Sequence, residues 1–134
     1  MGRVTSPILL DTHTLIWALT EPDRLSRRAR QTIESPRAHV VVSAASAWEI
    51  ATKVRRGPMP QAEVVLAAYS RHLRRLRAQE APITTEHALF SGGLEWDHHD
   101  PFDRMFAAQA ILEGWTLVTR DRAFSTLTGI TTLW

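Results

Sequence analysis

Short apolar runs alternate with stretches of helical periodicity along almost the whole chain, and no two of the runs are joined by a two-residue hairpin turn. Ile8-Leu9-Leu10 ends in Asp11, and the segment from Thr12 to Leu19 then carries Leu15, Ile16 and Leu19 at helical spacing. Ser26 suits the N-cap of a second helix through Ile33, stopped by Pro36, after which His39-Val40-Val41-Val42-Ser43 reads as a β-branched second strand. Ala44, Ala47, Trp48, Ala51 and Val54 make the apolar stripe of a helix closed by Gly57-Pro58. One more helix is expected from about Gln61 to Gln79, then a short third strand at Pro82 to Thr84 and a helix from Thr85 to Gly92. Asp100-Pro101-Phe102-Asp103 opens a helix that Gly114 stops, Trp115 to Thr119 is a fourth strand, and Ile130 to Leu133 a fifth.

Strands separated by helices pair in parallel through crossovers, so the expected class is α/β: a three-layer α/β/α fold around a mostly parallel sheet of four to five strands. A length of 134 residues suits one domain, taken as residues 1–134, and neither a repeat nor an interdomain linker interrupts it. Hydrophobic residues at 44% and charged residues at 22% argue against disorder and against a membrane protein. The start, Met1 to Pro7, leads into only three apolar residues before Asp11, too few for a signal peptide, and cysteine is absent; both features suit the cytoplasm. Fifteen arginines accompany a single lysine, Lys53, for a net charge of only +2. Their grouping says more than their number: Arg27, Arg28 and Arg30 form one cluster and Arg71, Arg74, Arg75 and Arg77 another, each either a phosphate-binding patch or a solvated helix face.

In a parallel sheet the strand C-termini and the crossover-helix N-termini gather at one edge, where ligands bind. Asp11 follows the first strand, Asp121 follows the fourth, Glu49 lies in the second turn of the helix after strand two, and Asp103 lies in the first turn of the helix before strand four. Each acid has a plain structural alternative. Asp11, Asp100 and Asp121 suit helix caps, Asp103 opposes a helix dipole, and Glu49 is spaced to pair with Lys53. What the caps do not explain is the delivery of four acids by four segments to one edge. Carboxylates that close repel one another unless a cation neutralises them, and oxygen-only ligands favour Mg²⁺ or Mn²⁺ over zinc. Such ions activate water and stabilise charge on a phosphoryl oxygen.

Leu9 to Trp17, Ser43 to Lys53 with Ser46-Ala47-Trp48-Glu49-Ile50, His99-Asp100-Pro101-Phe102-Asp103-Arg104 with Ala107 to Ala110, and Leu117-Val118-Thr119-Arg120-Asp121 resemble, in order and spacing, the PIN-domain nucleases and the VapC-like toxins among them. The resemblance implies a Mg²⁺- or Mn²⁺-dependent endoribonuclease that cuts single-stranded or loop RNA to leave a 5′-phosphate and a 3′-hydroxyl. It makes Asp11, Glu49, Asp103 and Asp121 the catalytic, metal-holding quartet, with Asp100 and Thr119 as accessories. It also implies a homodimer and a cognate antitoxin, for which Trp17, Leu19 and Val54 are docking positions unless they are ordinary core.

Other chemistries fit less well. Asp11-Thr12-His13 resembles the first motif of haloacid-dehalogenase-type phosphohydrolases, but His13 stands where that motif needs a second carboxylate. A receiver domain needs a lysine near the last strand, and Lys53 is elsewhere. Adjacent His98 and His99 should point apart, and neither HExxH nor a cysteine pair is present for zinc; they read as solvated loop residues, either of which could touch substrate near Asp100. A PIN-like module that binds RNA or protein without cutting remains the non-enzymatic alternative.

Overall fold

Ile8–Leu10 (β1), Val40–Ser43 (β2), Gln79–Ala81 (β3), Thr116–Val118 (β4) and Thr131–Leu133 (β5) lie side by side in the order β3-β2-β1-β4-β5. Every neighbouring pair is parallel, with Leu9 opposite Val41 on one side and Leu117 on the other. This is a computed structural model, and it describes residues 6–134. Met1 to Thr5, the start of the segment read above for a signal peptide, lie outside the described residues. Between the strands run the helices Thr12–Thr20 (α1), Arg27–Glu34 (α2), Ala44–Arg56 (α3), Pro60–Ala67 (α4), Tyr69–Arg75 (α5), Thr85–Gly93 (α6) and Pro101–Glu113 (α7). None of them is long and apolar enough to cross a membrane.

Alternation along the central strands divides the core in two. Ile8, Leu10, Val40, Val42 and Val118 point to a layer filled by Leu15 and Ile16 of α1, Ala29 and Ile33 of α2, Ala62 and Val65 of α4, and Leu73 of α5. Leu9, Val41 and Leu117 point to the opposite layer, where α7 contributes Phe102, Met105, Phe106, Ala107 and Ala110 against Phe124. Strands covered on both faces are buried at every position, which is why β1 and the three valines of β2 read as continuous apolar runs rather than alternating ones. The result is the expected three-layer α/β/α architecture.

Two expectations are corrected. The single helix expected from Gln61 to Gln79 is two helices broken at Ala68, whose backbone (φ −145°, ψ 48°) is not helical. Alanine is the best helix former, so tertiary packing sets this break without a local signal. The third strand is Gln79–Ala81, not Pro82 to Thr84; Gln79 and Glu80 are exposed on an edge strand, where polar residues discourage further pairing and disguise the strand.

Gly114 ends α7 in the left-handed region, φ 72°, with its N–H bonded to the Ala110 carbonyl. A Cβ there would meet nothing within 4 Å, so the cost of Gly114→Ala is confined to the backbone. We expect the substitution to lower stability by about 1 kcal/mol, read as a reduced urea midpoint with an unchanged slope.

Candidate active site

The chain runs outward from β1 to β2 and β3, then returns to the other side of β1 for β4 and β5, so the direction of winding reverses between β1 and β4. At the carboxyl ends of those two strands the sheet opens into a crevice. Asp11 leaves β1 as the N-cap of α1, one oxygen accepting from the Thr14 N–H at 2.9 Å. Its other oxygen accepts from the Thr119 hydroxyl, which itself accepts the Asp121 N–H at 3.0 Å. Thr119 therefore ties together the ends of β1 and β4. Asp121 accepts from the Ala123 N–H at 2.9 Å and caps the short 3-10 turn Arg122–Thr126.

On the other side, Ser43 caps α3, and Ser46 and Glu49 fall on one face of it, Ser46 accepting from the Thr12 hydroxyl of α1 at 3.2 Å. Glu49 is buried, with Lys53 Nζ 2.7 Å from one carboxylate oxygen. The apolar stripe expected for this helix is rotated: Ala45, Ser46, Glu49 and Ile50 are buried, whereas Trp48 is 53% exposed beside Phe102. Asp100 caps α7 through the Asp103 N–H at 2.9 Å, so the cap of one acid fixes the next.

Asp11, Glu49, Asp100, Asp103 and Asp121 all line one cavity of about 630 Å³, and Thr119 lies behind it as the link between Asp11 and Asp121. The structural roles anticipated for these acids are thus real and coexist with their convergence. Burial pushes the Asp11 carboxyl up, opposed by its hydrogen bonds to Thr119 and Thr14. Burial also raises Asp103, to about 6, with the charges of Asp100 and Glu49 adding to the shift and the His98 hydrogen bond opposing it. Desolvated carboxyls in mutual repulsion, with the His98 imidazole beside them, are the donor chemistry a divalent cation completes.

His98 is where the sequence reading needs correction. Rather than a solvated loop residue, it places Nε2 2.7 Å from Asp103 Oδ2 and lines the cavity, while His99 is exposed and does not. The expectation that neighbouring histidines diverge holds; which of them faces inward is set by Arg104. That guanidinium donates to the carbonyls of Ser91, Leu94, Trp96 and His98 at 2.6–3.1 Å, gathering the whole loop before α7. His98, Asp103 and Asp121 thereby bring three potential metal-ligand atoms within 4.8 Å of one another.

The cavity's basic lining is Lys53, Arg120 and Arg122, so neither arginine cluster singled out in the sequence borders it. Arg27 and Arg28 are exposed and Arg30 pairs with Asp23 and Glu34, which supports the solvated-face reading of the first cluster. One wall is aromatic: His13 stacks on Trp17, centroids 5.7 Å apart and planes 17° off parallel, with Arg24 over the indole at 4.8 Å. Trp17, Leu19 and Val54 are partly buried against the core.

With this geometry in hand, residues 8–130 match the family described as the PIN domain. The chain belongs to the PIN-domain family. It is 36% identical over 121 residues to Ribonuclease VapC22 of Mycobacterium tuberculosis, covering 86% of this chain and 87% of that protein. Among solved structures, the DNA-bound VapBC of Salmonella typhimurium superimposes with a TM-score of 0.71 at 21% identity, over 96% of this chain and 98% of that one. A toxin–antitoxin complex from Klebsiella pneumoniae gives 0.63 at 20% identity, over 93% and 96%. The fold of this PIN-domain protein is therefore that of VapC structures, with the acidic crevice at the sheet's reversal point.

Proposed function

We propose that this PIN-domain protein is an endoribonuclease that hydrolyses phosphodiester bonds in single-stranded or loop RNA with Mg²⁺ or Mn²⁺, and that it is the toxin of a toxin–antitoxin pair. The observation that carries the reading is the convergence of Asp11, Glu49, Asp103 and Asp121, from four separate elements, on one cavity. The ribonuclease name of the 36%-identical relative supports the substrate class.

Asp11, Asp103 and Asp121 would hold the ion, with Asp100 and Thr119 orienting them. When bound, it would supply Lewis-acid stabilisation of the phosphoryl oxygen and a lowered pKa for water. Glu49, fixed by Lys53, is placed to orient the attacking water. Water oxygen bonds to phosphorus, the bond to the 3′ oxygen breaks in line, and the products carry a 5′-phosphate and a 3′-hydroxyl. The aromatic wall of Trp17 and His13 offers a π-face to unpaired bases, which duplex RNA does not expose. The toxin–antitoxin complex among the structural likenesses supports an antitoxin partner; that the antitoxin covers this cavity, that the protein is a homodimer and that it acts in the cytoplasm are proposed on the family resemblance.

End-group analysis of cleaved RNA tests the chemistry. We expect 5′-phosphate products and continued cleavage when the 2′-hydroxyl at the cut is replaced by hydrogen; 2′,3′-cyclic phosphate ends would refute hydrolysis by water. Arg122 lies at the rim without an acidic partner among the described residues. Arg122→Ala should weaken RNA binding by a similar factor for every sequence and reduce the slope of log affinity against log salt by about 0.7.

A further inference from the structure

The acidic quartet is a set of oxygen donors, yet His98 sets an imidazole nitrogen beside two of them, Asp103 and Asp121. We propose that His98 is a direct metal ligand through Nε2, and that it turns an oxygen-only site into a mixed one that selects Mn²⁺-like transition dications over Mg²⁺. This rests on the metal-dependent reading above and concerns what that reading leaves open, the identity of the ion.

Three observations carry it. First, the donor atoms are spaced for a shared ion. His98 Nε2 and Asp103 Oδ2 are 2.7 Å apart, and the Asp121 carboxylate joins them within 4.8 Å. Adjacent ligands of an octahedral ion bonded at about 2.1 Å are separated by about 3 Å, so a small outward adjustment of these two atoms gives the spacing of neighbouring ligands. Secondly, the imidazole is held in place from behind. Its own carbonyl accepts from Arg104 Nη1 at 3.0 Å, and its ring leans on Trp96 at 4.9 Å. Trp96 is in turn fixed by an indole N–H bond to the Thr126 hydroxyl at 2.9 Å and by Phe124 at 5.6 Å. Thirdly, the anchor is coupled to the acid it serves: Arg104 and Asp103 are consecutive on α7, so one turn of helix sets the position of the carboxylate and of the loop that brings the imidazole to it.

Selectivity follows from ligand chemistry. Mg²⁺ is small and hard, prefers carboxylate, carbonyl and water, and gains little from imidazole, whereas transition dications accept nitrogen readily. A neutral nitrogen donor also adds no negative charge to a site already crowded with Asp100, Asp103 and Glu49.

Mn²⁺ is the probe, because its unpaired electrons report bound ¹⁴N through electron spin-echo envelope modulation. Wild-type protein loaded with Mn²⁺ should show ¹⁴N modulation. His98→Gln, which offers an oxygen of similar reach, should remove it, while His99→Gln should keep it. Competition titration should show Mn²⁺ binding weakened by about tenfold or more in His98→Gln, with the Mg²⁺ constant changed much less. Circular dichroism and melting confirm that the variants are folded. Bound Mn²⁺ without ¹⁴N modulation, modulation that survives His98→Gln, or an equal loss of both ions would overturn the proposal while leaving the metal-dependent nuclease intact. Failure of the wild type to bind either ion would overturn both.

Discussion

Asp103→Asn is expected to lower metal-dependent RNA cleavage by about a thousandfold or more and, in the same protein, to raise the melting temperature measured in EDTA at pH 7.5. The first effect is the loss of an anionic metal ligand, since Lewis-acid stabilisation contributes several kcal/mol and each 1.4 kcal/mol is about tenfold in rate. The second follows from burial. With its carboxyl at about 6 in the folded protein, Asp103 is held against ionisation by its surroundings. A carboxyl raised above its unfolded value stabilises the fold fully below that value, and the contribution disappears as pH rises through about 6. At pH 7.5 the metal-free protein therefore carries a penalty, at most about 3 kcal/mol and less in practice because the side chain is still partly solvated. Asparagine keeps the shape and can still accept from His98 but cannot ionise. The gap in melting temperature between variant and wild type should accordingly be wide at pH 7.5 and close as pH falls below about 6. A variant less stable than wild type at pH 7.5 would show that the carboxylate is structural rather than held in place for function.

Arg104→Lys is expected to be the most damaging conservative change in the protein. The guanidinium serves carbonyls on Ser91, Leu94, Trp96 and His98 at once, with one Leu94 bond as short as 2.6 Å. An ammonium group lacks the planar fork needed to reach them together. Losing two or three charge-assisted bonds to partly buried carbonyls should cost about 2–4 kcal/mol, a fall of roughly 10 °C in melting temperature for a chain of this size. Because the loop carries His98, RNA cleavage at a temperature where the variant is fully folded should also fall. Retained stability with lost cleavage, or the reverse, would separate the two roles assigned to the loop.

What the sequence made legible is what local chemistry controls. Asp11, Ser26, Asp100 and Asp121 are found at helix N-caps, and Gly114 closes α7 in the left-handed conformation, because caps are decided within a few residues. The carboxylates were readable because a parallel sheet sends strand ends and helix starts to one edge, whatever the details of packing. Features decided across the fold were not. Glu49 sits on the buried side of α3, lining the cavity and paired with Lys53, and Trp48 on the exposed side, the opposite of a hydrophobic stripe. The break at Ala68 and the polar edge strand Gln79–Ala81 leave no local mark. His98 depends on Arg104, which gathers its carbonyl together with those of Ser91, Leu94 and Trp96, a hub that spacing along the chain does not reveal.

The most direct test of the nuclease reading is cleavage of an end-labelled pool of single-stranded RNA by purified wild type and Asp11→Asn, each in Mn²⁺, in Mg²⁺ and in EDTA. The account predicts cutting by wild type with metal only, and none by a folded Asp11→Asn under any condition. Binding of the RNA by wild type without cleavage in either metal, or equal cutting by both proteins, would contradict it, the first outcome pointing to a module that binds RNA and the second to activity that does not come from the acidic cavity.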